Sequence, residues 1–332
     1  MPYNYLNICI RVTIAEKYIF NNVESIEIEN SLEKISDTAK IVFPRKLLQK
    51  IDKKKEPEKV NLIDVIKLED KIKIECGYDE KYNTEFEGYI TEIIDETPVT
   101  INCIDEMYKL KKADRIRKTF RTADIKDILK TIAPNYKIET FKTFAIGKFS
   151  INNETPYEVL MNLRSSSMIR CYFKDGVLCA GLPINLKGFK VHEFNMNRNV
   201  RNSSKLTYEQ KKENYYVKVT SNEIGTSKPI SFEIGKKGDN NKEFNLNAGL
   251  SMQELKEFAT DFYNGVVNTK CKGSFDSWGL PQTKAGDTAN IITPNFKDNS
   301  RNGKYIIESV KISLNASDGF KRENTLGVML YK

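Results

Sequence analysis

Apolar and polar residues alternate with period two along most of the chain, which predicts β-strands with one buried face each. Residues 3 to 44 contain NICIRVTI, a turn near Asn21-Asn22, and VESIEIENSLEKISDTAKIVFP. Ile8, Ile10, Val12 and Ile14 fall on one face; Val23, Ile26 and Ile28, then Ile35, Ala39, Ile41 and Phe43, predict consecutive antiparallel strands ending at Pro44. A short helix is expected over Arg45 to Ile51 and a charged loop from Asp52 to Lys59. Asp70 to Cys76 alternates again, and Gly77-Tyr78-Asp79 turns the chain. FEGYITEIIDE and PVTINCIDEMYKLKK supply two more strands, with Gly88 as an expected bend or bulge. This predicts a first β-rich unit over residues 1–112.

The period changes between Thr119 and Pro183. Ile125, Ile128, Leu129 and Ile132 occupy one helical face behind a Thr122 cap, and Pro134 ends the run. In a second helix Thr155 is the N-cap, Pro156 the first helical residue and Glu158 the capping-box partner, with Val159, Leu160 and Leu163 on the buried face. Ile169 to Phe173 and Val177 to Ala180 then flank Lys174-Asp175-Gly176, whose Asp-Gly pair suits a hairpin turn with positive φ. Residues 113–185 are therefore expected to form a small α/β insert of two helices and a hairpin.

From about Leu186 the chain returns to strands, after a polar interval that lasts until Tyr216 to Thr220. One helix is predicted there, with a Ser251-to-Glu254 capping box, an apolar face of Leu255, Phe258, Ala259 and Phe262, and a stop at Asn264-Gly265. Four short strands follow, with turns at Ala285-Gly286-Asp287, Asn302-Gly303 and Asp318-Gly319. Residues 186–332 thus form a second β-domain with one helix, and the fold class is α+β, mainly β. The two β-blocks share an order: Asp70-Lys71-Ile72-Lys73-Ile74 before Gly88-Tyr89-Ile90, and Asp287-Thr288-Ala289-Asn290-Ile291 before Gly303-Lys304-Tyr305-Ile306. That order suggests a distant duplication.

Composition narrows the class. With 332 residues, 39% hydrophobic and 30% charged, the chain can bury a substantial core as two or three domains. No run of about 18 apolar residues occurs, which excludes a transmembrane helix. The N-terminus lacks a basic segment followed by an apolar core, so synthesis and assembly in a cytoplasm are expected. The net charge of +8 arises from 53 basic and 45 acidic residues, mostly interleaved, which disfavours a phosphate-binding groove. Cys9, Cys76, Cys103, Cys171, Cys179 and Cys271 form no CxxC pair and read as buried thiols, although Cys171 and Cys179 lie across the proposed hairpin.

No catalytic motif emerges. His192, the one histidine, has no Ser or Cys motif to serve and reads as a surface or packing residue. GxSxG, HExxH, P-loop and GxGxxG are absent. Adjacent acids such as Asp95-Glu96 and Asp105-Glu106 point to opposite faces of a strand. Trp278, the one tryptophan, reads as a core or turn-packing residue. The sequence predicts no enzyme, cofactor or metal.

Taken in order, these features resemble the phage tail baseplate hub family, which includes late control protein D and the N-terminal hub of VgrG-type spikes. The resemblance rests on DTAKIVFPR at Asp37 to Arg45, FEGYITEI with INCIDEMYKLKK, TADIKDILKTIA, TPYEVLMNLRSSSMIRCYFKDGVLCAG, and AGDTANIITP with NGKYIIESVKIS. It implies two tail-tube-like β-barrel domains separated by the insert, in a homotrimeric ring that adapts a sixfold tail tube above to a threefold spike below. Other baseplate proteins would be further partners, and DNA could pass through the lumen without specific binding or membrane insertion. It also implies a virion location, in the tail baseplate, after assembly in the bacterial cytoplasm. Because the chain reaches Lys332 just after the second block, spike and muramidase are expected as separate polypeptides. The expected subunit interface uses edge strands, with Lys71, Ile72, Lys73 and Ile74 in one block and Thr288, Ala289, Asn290 and Ile291 in the other. The rival readings are a distal tail or tail-associated protein of a non-contractile tail and, from another class, a basic nucleic-acid-binding protein.

Overall fold

The computed structural model describes residues 7–49, 58–141, 145–167, 169–181, 190–208, 214–223, 228–238, 240–246, 249–295 and 301–330. Strand makes up 55% of the structure and helix 16%, which makes it a mainly-β α+β fold. The alternating segments build one large sheet. Its main path runs Val200–Asn202, Cys271–Trp278, Gly319–Met329, Gly303–Asn315, Ser25–Ser31, Thr38–Phe43, Val99–Ile104, Lys81–Ile94, Lys71–Tyr78, Ile8–Ile14, Tyr18–Phe20. Leu206–Tyr208 extends the Cys271–Trp278 strand, while Val191–Asn195 and Thr288–Ile292 attach beside Gly303–Asn315.

The first and last blocks meet inside this sheet. Ser309 to Asn315 pairs antiparallel with Ser25 to Ser31, placing Ile312 opposite Ile28. The sheet also curls back on itself: Tyr78 stacks on Phe320 with ring centroids 5.6 Å apart, and the Gln282 side chain donates to the Thr84 carbonyl at 2.8 Å. One core therefore draws on both blocks, from Val12, Ile26 and Ile72 to Phe275, Ile291 and Ile312.

The feature order shared by the two blocks is reproduced in backbone hydrogen bonds. Asp70 N–H donates to Lys67 O at 3.3 Å and Asp287 N–H to Lys284 O at 3.0 Å. In return Asp70 Oδ2 accepts from Lys67 N–H at 2.8 Å, and Asp287 Oδ2 from Lys284 N–H at 3.0 Å. The residue before each aspartate is left-handed, Glu69 with φ 73° and Gly286 with φ 87°. Their amides reach Ile90 O and Ile307 O, both at 2.8 Å, and the Ile90 and Ile307 amides return to Asp70 O and Asp287 O. One residue on, both long strands bulge against their return strands, the register skipping from Ile90 to Glu92 and from Ile307 to Ser309. The blocks are two copies of one turn-strand-bulge construction.

Four α-helices lie among the described residues: α1 (Met107–Lys112), α2 (Ile125–Ile132), α3 (Pro156–Ser167) and α4 (Met252–Asn268). α2 buries Ile125, Ile128, Leu129 and Ile132, but its cap is Asp124, whose carboxylate accepts from Asp127 N–H at 2.8 Å; Thr122 belongs to the preceding strand. α3 carries the expected capping box, with Thr155 N–H donating to Glu158 at 2.8 Å and Glu158 N–H to Thr155 Oγ1 at 3.3 Å. Val159, Leu160 and Leu163 are buried beneath it. The insert holds more strand than its sequence suggested: Ile116–Asp124 pairs with Ala145–Glu154, and Lys137–Phe141 adds in parallel to the Val177–Gly181 strand of the hairpin.

Residues 215–268 form a unit of their own inside the second β-block. Tyr215–Asn222 is flanked by Pro229–Gly235 and Asn240–Asn245, and α4 covers this sheet with Leu255, Phe258 and Ala259. The Ser251–Glu254 capping box is present, but Asn264-Gly265 does not end the helix. α4 runs on to Asn268, because its last turns still bury Val267 and Thr269 Oγ1 caps Gly265 O at 2.5 Å.

Three further local expectations change. Lys46–Gln49, expected as helix, is a strand paired with Glu58–Asn61; Lys50 and Ile51 lie outside the described residues. Met107–Lys112, expected as strand, is the helix α1, started by Asp105 Oδ1 accepting from Met107 N–H at 3.2 Å. The bulges flanking Gly88 fall at Glu85 and Thr91, where the register skips. Gly88 answers a different need: a Cβ there would strike the Ile104 carbonyl and the Phe86 ring.

Candidate functional site

The hairpin of the insert docks onto both β-blocks, and Lys174, Asp175, His192, Lys284 and Asp287 meet there. Asp175 (φ 49°) and Gly176 (φ 77°) make the two-residue turn, with Lys174 opposite Val177. Lys174 Nζ donates to Asp287 Oδ1 at 2.8 Å and to Ala285 O at 3.1 Å. On the other side of the turn, Lys284 Nζ reaches Asp175 Oδ1 at 2.6 Å. His192 Nε2 lies 3.0 Å from Asp287 Oδ2, so Asp287 holds two side-chain partners as well as the Lys284 amide. Burial pushes the Asp287 carboxyl up, but the His192 and Lys174 contacts outweigh it and hold Asp287 below the usual carboxylate range. Burial lowers Lys174, with Asp287 opposing that shift.

This cluster is a modified copy of the Asp70 turn. Asp70 makes the same backbone bonds at the surface, whereas Asp287 is 1% exposed because the insert covers it. His192 is accordingly a packed partner of that turn. The Arg322 guanidinium ties the blocks together across the curl: it donates to Glu85 with both side chains at most 1% exposed, and Nε reaches Gly279 O at 2.7 Å. The bulge at Glu85 is what aims its carboxylate inward.

These buried ion pairs form a clamp, and beside it lies a cavity of about 360 Å³ bounded by Asn30, Asp37, Asp105, Lys71, Phe173 and Lys284 among others. Asp37 Oδ1 accepts from Ser31 N–H at 3.1 Å and Oδ2 from the Asn30 amide. Burial, only partly offset by those donors, pushes Asp37 up to about 7. Burial and then the neighbouring Asp37 charge push Asp105 well above its ordinary value. Among the described residues, no group of three or more His, Cys, Asp or Glu side chains is disposed to hold a metal ion. What the arrangement does is lock the insert and both blocks together through buried charge.

The strands proposed for a subunit interface occupy interior places. Lys71–Tyr78 is paired on both sides, by Ile8–Ile14 and Lys81–Ile94; Thr288–Ile292 is paired by Val191–Asn195 and Gly303–Asn315. Neither has a free backbone edge, because neighbours in the same chain consume its amides and carbonyls. Ile72, Ile74, Thr288, Ala289 and Ile291 are buried. Lys71 is exposed and paired with Glu16 at 3.1 Å, Lys73 pairs with Glu75 at 3.0 Å, and Asn290 is half-buried.

Two further sequence readings resolve. Cys171 faces Ala180 and the core of the insert, while Cys179 faces Tyr172 and packs with Leu32 and Ile306, so the two thiols project from opposite faces of the hairpin. Trp278, expected in the core or a turn, is 38% exposed with the Arg201 guanidinium 4.4 Å above its ring. The strand ends there, and an indole stacked under a guanidinium is stable at a wet surface. Arg322 and Glu85 are not legible from sequence as a pair, since they stand 237 residues apart, and Asp37 and Asp105 are brought together only by strand pairing, the Asp105 N–H donating to Asp37 O. The Asp70/Asp287 correspondence was the available signal.

No protein-family model and no curated relative matches the chain. Solved structures do match it. The tail protein of Neisseria meningitidis MC58 is similar with a TM-score of 0.67 at 11% identity, covering 97% of this chain and 96% of that one. The 43 kDa tail protein of prophage MuSo2 from Shewanella oneidensis gives 0.61 at 15% identity over 97% and 98%. The E. coli c3393 protein, a type VI secretion system component described as structurally similar to the T4 tail proteins gp27 and gp5, gives 0.56 at 10% identity over 98% and 77%. From end to end, the chain has the fold found in phage tail proteins and in this secretion component.

Proposed function

We propose that this chain is a structural baseplate hub of a phage tail or related contractile injection system. Three copies would form a ring that meets a sixfold tail tube on one side and a threefold spike on the other. The carrying observation is the doubled construction inside a fold shared with tail proteins: two like blocks per chain and three chains give six near-equivalent units around one axis. Sharing a core and a sheet, the blocks move as one body, as an adaptor under axial load requires. In this reading Lys71, Lys73 and Asn290 present contact side chains, while Ile72, Ile74, Thr288, Ala289 and Ile291 fix the strands that carry them. The ring would assemble in the bacterial cytoplasm and reside in the tail baseplate. The test is native mass measurement with electron-microscopic class averages of the protein co-expressed with the tube and spike proteins of the same tail. Threefold particles bound to both partners are expected. A monomer that binds neither would overturn the proposal.

A further inference from the structure

The duplication leaves one junction half-made. In the second copy, the segment after the bulge, Ser309 to Asn315, is paired on both sides: with Gly319–Met329 and with Ser25–Ser31 of the first copy. Its counterpart in the first copy follows from the matched Ile90 and Ile307: Glu92, Ile93 and Ile94 correspond to Ser309, Val310 and Lys311. Glu92 to Ile94 pairs with Thr100 to Asn102 on one side. Among the described residues no strand covers the other side, and Ile94 is 37% exposed there. The strand that fills the corresponding place in the second copy, Ser25–Ser31, has a counterpart too. Ile28 pairs with Ala39, which pairs with Cys103 opposite Ile90; Leu206 pairs with Gly273, which pairs with Leu326 opposite Ile307. Leu206, Thr207 and Tyr208 therefore correspond to Ile28, Glu29 and Asn30. Their edge away from Cys271–Trp278 likewise has no strand partner among the described residues.

From this we infer that copies of the chain join head to tail by β-pairing of Glu92–Ile94 in one copy with Leu206–Tyr208 in the next, repeating between chains the junction that joins the blocks within a chain. The register is fixed by the internal junction, in which Lys311 faces Glu29 and Val310 faces Asn30. Ile94 then faces Thr207, and Ile93 faces Tyr208. Two complementary edges that lack a strand partner among the described residues form a heterologous contact, which closes into a ring or propagates as a filament. Closure at three chains rests on the hub reading above; the pairing of these two edges does not.

The test is cross-linking between two singly substituted proteins. Ile94→Cys and Thr207→Cys both replace side chains at exposed strand positions, and each variant is checked for an unchanged far-UV circular dichroism spectrum. When the two are mixed and oxidised, a disulfide-linked dimer should form on non-reducing gels, with none from either variant alone. The double variant should give covalently closed trimers. Trimers by native mass that remain uncross-linked in the mixture would overturn this junction and leave the hub reading standing. Monomers under every condition, with tube and spike proteins present, would overturn both.

Discussion

At the scale of single residues, buried charge is where the sequence and the fold are most tightly coupled. Arg322 and Glu85 are both removed from water, so their attraction has to offset a large desolvation cost, which the Gly279 and Thr283 carbonyls share by accepting further guanidinium hydrogens. Arg322→Met leaves the Glu85 carboxylate buried and unpaired and should cost about 3–5 kcal/mol. Adding Glu85→Gln should recover a large part of that loss in urea unfolding; no recovery would mean the packing of Arg322, rather than its charge, matters. Asp37 and Asp105 act in the opposite sense. Asp37, pushed up to about 7, stays protonated in the folded state over a range where the unfolded chain is ionised, so stability falls as pH rises from about 4 to about 7. Asp105, also raised, adds to the same slope. Asp105→Asn keeps the acceptor for Met107 N–H and removes one ionisation, so the drop in melting temperature between pH 5 and pH 8 should shrink. An undiminished drop would place the pH dependence elsewhere.

At the scale of elements, the two aspartate turns give a controlled comparison. Asp70 and Asp287 make the same backbone bonds, but only Asp287 is covered by the insert hairpin and holds Lys174 and His192. Asp70→Ala should cost about 1 kcal/mol, the worth of a surface hydrogen bond. Asp287→Ala removes the carboxylate that Lys174 and His192 share and should cost about 3–5 kcal/mol. Equal losses in denaturant titration would show that the turn alone counts. Strands with clean alternation, the Thr155 and Ser251 capping boxes and the Asp175-Gly176 turn were legible from sequence because their causes are local. For α1 the Asp105 cap, two residues before Met107, is a local signal that the strand-like alternation masks, whereas Lys46–Gln49 is decided by bonds from Glu58–Asn61, beyond the local window. The clamp was invisible for the same reason: Arg322 finds Glu85, and Lys174 finds Asp287, only after the sheet has curled and the hairpin has docked.

At the scale of the whole molecule, the division into cooperative units differs from the linear order of blocks. The first and last blocks share one core and one continuous sheet, joined by seven residue pairs between Ser309–Asn315 and Ser25–Ser31. Neither can open without exposing Ile28 and Ile312, so they should unfold together. Residues 215–268 are different, since their three strands and α4 enclose a separate core of Val217, Val219, Leu255 and Ala259. Sub-global opening follows such boundaries, because a unit with its own core can detach without breaking its neighbour's. Native-state hydrogen exchange should therefore resolve two levels of protection. The amides of Ser25–Ser31, Thr38–Phe43 and Gly303–Asn315 should share the global unfolding energy, and those of Tyr215–Asn222 and α4 should exchange together at a lower one. The bond from Met329 N–H to Thr269 Oγ1, 3.0 Å long, lies at the boundary and should exchange with the lower group. If the amides of α4 were protected as fully as those of Gly303–Asn315, the two cores would be a single cooperative unit, and the separate core around Val217 and Leu255 would not be a boundary for opening.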